Sequence, residues 1–524
     1  MSAVQKIDSN AVGFRIAEEV SIGVLDPTPA NQIWVELEPN SISEFGGAIK
    51  TVARMPFNPG RQRKKGAVVG QDASAGWMND VTQTNMQSLL QGAFMASHRK
   101  KKEFTGAAMT VVTPANTYGA SGIHTGSYAG DIILASGFTN SANNGVKNVT
   151  AAASNTITVS ETLANETSAA TAKLVTVGYK FAASDAVVVV SGQYPVINTT
   201  TKDCTQLGLI PGEFVYIGGD NLVDRFGNAQ NNGFARVKSV TTNQIVFDKT
   251  SATWVADSGS GKQIRLWKAR LLKNELGSSI VRRTYTLEAI LGANDTADLT
   301  KEQAAYVKGF VPGELTLNFK NTDKLTAEIK GIGLNSTTLD ENVSGANTLL
   351  SKISGVVRQA VVEADAFNLA SDPARVRLAV FTPGTTFPTR LFTYGEEFTL
   401  NINNNLSPLP AVGVLGAFDI NAGKFEVSGS FSAYFSNVSA YNSVLANADV
   451  TLDVALVRNN AGVVLDLPCV GLGNGLPKFE QDKPVMIPLD TGAYTGAKID
   501  ANMNHTAMFH FFDYLPTVAA TAVS

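Results

Sequence analysis

At 524 residues the chain is long enough for more than one domain, and 44% hydrophobic against 17% charged residues marks it as ordered and weakly charged. Its 46 glycines, set among many Thr, Ser, Asn and Val, favour strands and turns over long amphipathic helices. Two distant cysteines, Cys204 and Cys469, exclude a disulfide framework and a cysteine metal site and read as buried thiols, while the longest aliphatic run, Ala186 to Val190, is far too short to span a membrane as a helix.

The net charge of −3 conceals a polarity. From Lys50 to Phe104 ten Lys/Arg face three acids, and from Leu391 onward five face twelve, so the two stretches carry about +7 and −7. Such a chain is suited to stacking front to back on copies of itself.

In chain order, Lys6, Asp8, Arg15, Glu18 and Glu19 leave no apolar signal-peptide core, so a soluble protein folding in the cytoplasm is expected. Ile33, Val35 and Leu37 alternate as a first strand, with Trp34 on its other face, and a second strand runs from about Ala48 to Met55. Pro56 to Gly66 is a loop or hairpin tip carrying Arg61, Arg63, Lys64 and Lys65. That basic run invites a nucleic-acid reading, but without interleaved aromatic residues a protein contact or solvated tip suits it better. Ala67 to Asp80 is strand-like, and Thr82 or Thr84 caps a helix placing Met86, Leu89, Leu90, Ala93 and Phe94 on one face. The cations His98 to Lys102 follow, where a helix C-terminus favours positive charge.

Between 121 and 275 the texture changes to Thr, Ser, Asn and Ala, and an internal repeat emerges. Phe138, Asn140, Asn143-Asn144-Gly145, Val149, Asn155 and Ile157 recur as Phe226, Asn228, Asn231-Asn232-Gly233, Val237, Asn243 and Ile245, each displaced by 88 residues. Each Asn-Asn-Gly fits a positive-φ turn leading into two strands, which predicts a pair of small β units set into the chain. Tyr285, Leu287, Ala289 and Leu291 alternate next, then Leu315, Leu317 and Phe319, then Leu325, Ala327 and Ile329 after the turn Asn321 to Lys324. A helix is predicted near Thr348 to Ala366. Phe398, Leu400 and Ile402 lead into the loop Asn403 to Gly423, which holds Pro408 and Pro410. From Lys424, the residues Phe425, Val427, Gly429, Phe431, Ala433 and Phe435 line one face of a strand; Ser436-Asn437 caps a short helix with Val438, Tyr441, Val444 and Leu445; and Val450 to Leu456 turns at Asn459 to Gly462 into Val463 to Leu467.

Chemistry is hard to find. Ser258 to Lys262 brushes against a phosphate-binding loop, but Gln263 replaces the magnesium-holding Ser or Thr and Ala256 the first glycine. His505 and His510 lack the partners of a metal site, and the neighbours Glu396 and Glu397 point to opposite faces of a strand. With four histidines in all, no catalytic, cofactor-binding or metal-binding residue and no cofactor is expected.

Two segments, Lys424 to Phe435 with its helix and hairpin through Leu467-Pro468, and Phe310 to Phe319, resemble the tail tube proteins of long-tailed bacteriophages. The resemblance implies a mainly β (α+β) fold of two tandem antiparallel β-sandwich or barrel modules, each with a flanking helix, plus the inserted β units. The modules are expected at 1–120 with 276–335 and at 380–524, the insertion at 121–275 and a linker at 336–379. Such proteins close into rings that stack as a tube through which DNA leaves the capsid without being held, so self-association is implied. Tape measure, terminator and distal tail proteins are implied as further partners, with assembly in the bacterial host cytoplasm, a place in the virion tail and no membrane. Two modules per chain imply three copies in a pseudo-sixfold ring. Arg61, Arg63, Lys64, Lys65, Pro408 and Pro410 are the candidate contacts between rings. The alternatives are a capsid decoration or baseplate protein, and a carbohydrate-binding or adhesive β-protein.

Overall fold

The computed structural model describes residues 12–521 except 56, 58, 61, 63, 83–84, 86, 100–101, 124–125, 127, 294–300, 342–347, 362–363, 389, 393–394 and 436. The fold is mainly β, as the alternation predicts, with two α-helices among the described residues, α1 (Gln87–Phe94) and α2 (Ser439–Leu445). The chain divides into two compact units, one comprising Met1–Ala96, Asn274–Leu369 and Glu396–Ser432, the other Ser97–Lys273, Ala370–Gly395 and Ala433–Ser524.

The first unit is organised by one long strand, Glu302–Lys320, which belongs to two sheets. Its leading half pairs with Tyr285–Ala293 and Asn335–Asp340, and its trailing half with Thr326–Gly333 and with residues of Gly395–Asn403. The strand bends at Gly309, whose φ is +65° and where an added Cβ would come within 2.5 Å of the Leu334 side chain, so glycine is required. Tyr285–Ala293 continues the first sheet to Gly13–Glu18, then Ile33–Leu37, then in parallel Val357–Gln359. Thr326–Gly333 continues the second to Lys64–Asp80 and Ser41–Arg54. Trp77 packs on Phe14 and Phe310, ring centroids 5.0 and 5.6 Å away. Gly92 lets α1 approach closely, since a Cβ there would meet Pro312 and Tyr285 at 2.9 Å.

Three local expectations change here. Trp34, not Ile33, is the fully buried residue of its strand, because it fills the space among Ala17, Ile290, Ala304, Tyr306 and Leu349. The helix near Thr348 to Ala366 is instead a short 3-10 turn, Leu350–Lys352, and the strand Val357–Gln359; Gly355 at φ +90° breaks any helix between them. α1 stops at Phe94 because Met95 adopts φ +47°, so His98 lies beyond the helix end, and Lys100 and Lys101 lie outside the described residues.

In the second unit Pro373–Val380, Val450–Arg458, Ala461–Asn474, Met508–Phe512 and Arg270–Lys273 form an antiparallel sheet, and the far half of Ala461–Asn474 also pairs with Met486–Tyr494. Asn459 and Asn460, at φ +50° and +59°, form the tight turn with two left-handed residues that suits a hairpin. At the start of α2, Asn437 accepts from the Ser439 N–H at 2.9 Å, while Ser436 lies outside the described residues. Fourteen short strands between Glu103 and Lys268 make a second sheet system.

The repeat lies in that system and is a duplication of hydrogen bonds as well as of letters. Asn144 and Asn232 each accept from the N–H of the phenylalanine six residues back, Phe138 or Phe226, and each returns a bond to that residue's carbonyl. Asn143 and Asn231 are fully buried, and each exchanges a bond pair with one loop residue, Ala164 or Val255. Gly145 and Gly233 follow at φ +91° and +112°.

Candidate assembly surface

In the hairpin Ser41–Arg54/Lys64–Asp80, residues 73–80 have a strand on each side, whereas among the described residues the portion nearer the tip has only its own partner strand in the ladder. A two-stranded ribbon carries its side chains to solvent on both faces, and here these include Ile49, Val52, Val68 and Val69, all more than half exposed. The ribbon ends in a basic tip: Lys64 and Lys65 are exposed, while Arg61 and Arg63 lie outside the described residues.

A second, smaller hairpin, Ser407–Pro410/Ala417–Asn421, lies alongside the first. The Gln71 N–H donates to the Leu415 carbonyl at 2.8 Å and joins them. Pro408 and Pro410 are exposed, as are Val412, Val414, Leu415 and Phe418. Proline fits an edge strand because it has no N–H to offer. The base of this hairpin is fixed: the buried Asn404 amide donates to the Ala93 carbonyl at 2.7 Å and the Pro312 carbonyl at 3.2 Å, and Arg282 pairs with Asp419 at 2.9 Å. The structure therefore brings the described members of the basic and proline pairs onto adjoining hairpins of one unit. The exposed apolar residues between them escaped the sequence reading, because valines and isoleucines in a strand read as core. The consecutive Val68-Val69, which must face both sides, was the available signal.

Titratable groups elsewhere pair with one another. In the second unit Arg236 pairs with Asp248 (2.9 Å) and Asp466 (3.0 Å), Lys249 with Asp453 (2.7 Å) and Asp466 (3.4 Å), and Arg375 and Arg377 with Asp453 (2.5 and 3.2 Å), all of them buried. Burial alone would push the Asp453 carboxyl up, but Arg375, Arg377 and Lys249 outweigh it and hold the group well below the usual carboxylate range. Lys249 is driven down because its loss of hydration exceeds the attraction of Asp453 and Asp466. His510 is buried with Nδ1 3.0 Å from the Val464 carbonyl, and burial lowers it; burial takes His505 down to about 3. Among the described residues no three His, Cys, Asp or Glu gather as a metal site. Both cysteines are buried free thiols, and Lys262 of the broken phosphate loop donates to the Leu222 carbonyl at 2.9 Å. No helix among the described residues is long and apolar enough to cross a membrane.

No curated protein matches the chain. A family model described as phage tail tube protein matches residues 9–493, nearly its whole length. Tail tube proteins are structural rather than enzymatic, act in the virion tail, and associate with themselves and with other tail proteins. This mainly β chain, with its projecting apolar ribbon, belongs to the phage tail tube protein family.

Proposed function

We propose that copies of this chain close into rings, that the rings stack, and that the resulting channel is the conduit for DNA ejection. The observation that carries the reading is the projecting ribbon with its adjoining proline hairpin, which together present apolar side chains and a basic tip to solvent. An exposed ribbon is a hazard in a monomer and a joint in a polymer. Arg61, Arg63, Lys64, Lys65, Pro408 and Pro410 are assigned to the contact between rings, where basic side chains meet the acidic C-terminal part of the next copy. A tight grip on phosphates would oppose exit of DNA, so the basic tip belongs at a protein interface and the lumen is neutral or acidic.

The module division read from the sequence, 1–120 with 276–335 and 380–524 around an insertion at 121–275 and a linker at 336–379, makes the ring a trimer with pseudo-sixfold symmetry. Support comes from two places where a strand, a short helix and further strands follow in order: Lys64–Asp80 with α1, and Glu426–Tyr434 with α2. Tape measure, terminator and distal tail proteins are the partners at the tube's ends, and assembly takes place in the bacterial host cytoplasm.

Negative-stain electron microscopy of the purified chain over a range of concentrations tests this. Hollow tubes of uniform width are expected, with three copies per ring; six copies per ring would reject the trimer. Closed rings or discrete particles that never stack would favour a decoration or baseplate protein, and a positive glycan-binding screen would favour an adhesive one. Reversing Arg61, Arg63, Lys64 and Lys65 to Glu is expected to abolish elongation while leaving the circular dichroism spectrum unchanged.

A further inference from the structure

The second unit contains a cavity of about 730 Å³ whose lining includes Arg225, Lys262 and Arg375 with Gln230, Asn232 and Ser251, and no carboxylate among the described residues. Two of the three cations, Arg225 and Lys262, are half-buried, and Lys262 also donates to the Leu222 carbonyl at 2.9 Å. Arg375 is 5% exposed and forms part of the inner wall. Its Nη1 donates to the Phe234 carbonyl at 3.2 Å and its Nε lies 2.5 Å from Asp453, but its Nη2 has no hydrogen-bond partner. A buried guanidinium N–H without an acceptor is costly, and such groups are ordinarily satisfied.

The ion-paired set contains four cations, Arg236, Lys249, Arg375 and Arg377, and three carboxylates, Asp248, Asp453 and Asp466. Glu213 and Lys268, also buried in this unit, are one acid and one base. Burial, with the neighbouring Arg377, takes Arg375 down to about 10 against the pull of Asp453.

We propose that this cavity is a binding site for a small anion, a phosphate or carboxylate group, held among the lining cations Arg225, Lys262 and Arg375. The group is either free in solution or carried on a saccharide. Neither source depends on assembly of the chain into rings.

Isothermal titration of the full-length chain with inorganic phosphate, glucose 1-phosphate and glucuronate tests the assignment. Saturable binding is expected. It should weaken about ten- to hundredfold when Arg225→Glu and Lys262→Glu are combined, the range for losing charge-assisted contacts. Ala252→Trp, which fills the cavity from its lining, should weaken binding as well. Both variants leave the buried network intact, so neither depends on Arg375→Ala folding. Tighter binding of glucose 1-phosphate than of phosphate identifies a saccharide as the carrier, and equal binding identifies the free anion. Absence of saturable binding for all three anions, or affinities unchanged in both variants, would overturn the proposal.

Discussion

The two pairs of asparagines in the repeat act as substitutes for backbone. Asn231 is fully buried, donates to the Val255 carbonyl and accepts from the Val255 N–H at 2.9 and 3.0 Å, closing a ring of hydrogen bonds as a strand neighbour would. Asn231→Ala removes both bonds and strands a buried carbonyl and N–H, so a loss of about 2–4 kcal/mol in chemical denaturation is expected. Asn143→Ala should behave alike, because Asn143 makes the same pair of bonds with Ala164. The buried histidines set the acid limit of the second unit. Burial holds both below the ordinary histidine range, His505 at about 3, so between about 3 and 6.5 the unfolded chain binds a proton that folded His505 does not, and His510 acts in the same direction. Stability is complete above about pH 6.5 and falls as the pH drops below it, by up to about 1.4 kcal/mol per pH unit for each histidine. Urea titrations at pH 7 and pH 5 should show this, and His510→Gln should flatten the difference.

Elements were legible where their side chains alternate between water and core. The strand from Lys424, the short helix after it and the Asn459-Asn460 hairpin all lie where periodicity and turn chemistry put them. The strand Tyr285–Ala293 shows where that logic stops. Its second face carries Thr286 and Glu288, which read as solvent-facing, yet Glu288 is fully buried and accepts from the Tyr306 hydroxyl at 2.7 Å, Arg15 at 3.4 Å and Ser351. A buried carboxylate is tolerable only when other groups satisfy it, and those groups come from residues 15, 306 and 351, which no local window contains. The ion network of residues 236 to 466 was hidden for the same reason. At the candidate assembly surface Lys64, Lys65, Pro408 and Pro410, which lie at strand ends beside the hairpin tips or on an edge strand, could be chosen from the letters, but the exposed valines beside them could not. The bend at Gly309 belongs to this scale too. Gly309→Ala must adopt a left-handed φ and push against Leu334, so a loss of about 1–3 kcal/mol is expected in thermal or urea unfolding, the range for a strained backbone position.

For the whole molecule, the proposed stacking has an electrostatic test: the N-terminal part carries +7 and the C-terminal part −7 in the sequence, and of the twelve acids in the latter Asp453 and Asp466 are buried and paired, leaving the others to meet the next copy. Raising ionic strength from about 0.05 to about 0.5 M shortens the screening length to a few ångströms, so elongation followed by light scattering should slow several-fold. A rate independent of salt would assign growth to the apolar ribbon alone. The pairing of Gly13–Glu18 with Tyr285–Ala293, and of Lys64–Asp80 with Thr326–Gly333, has a consequence for synthesis. At roughly 5–20 residues per second, the ribosome delivers the partner of the first strand only tens of seconds after the strand itself has emerged. During that wait the N-terminal strands have unpaired edges, while the segment from Glu103 to Lys268 already contains its own strand partners and two hydrophobic clusters. On a polysome crowded with identical nascent chains, the order of translation therefore matters: the region from Glu103 to Lys268 can fold first, and the N-terminal strands gain these partners only after more than half of the chain has been made.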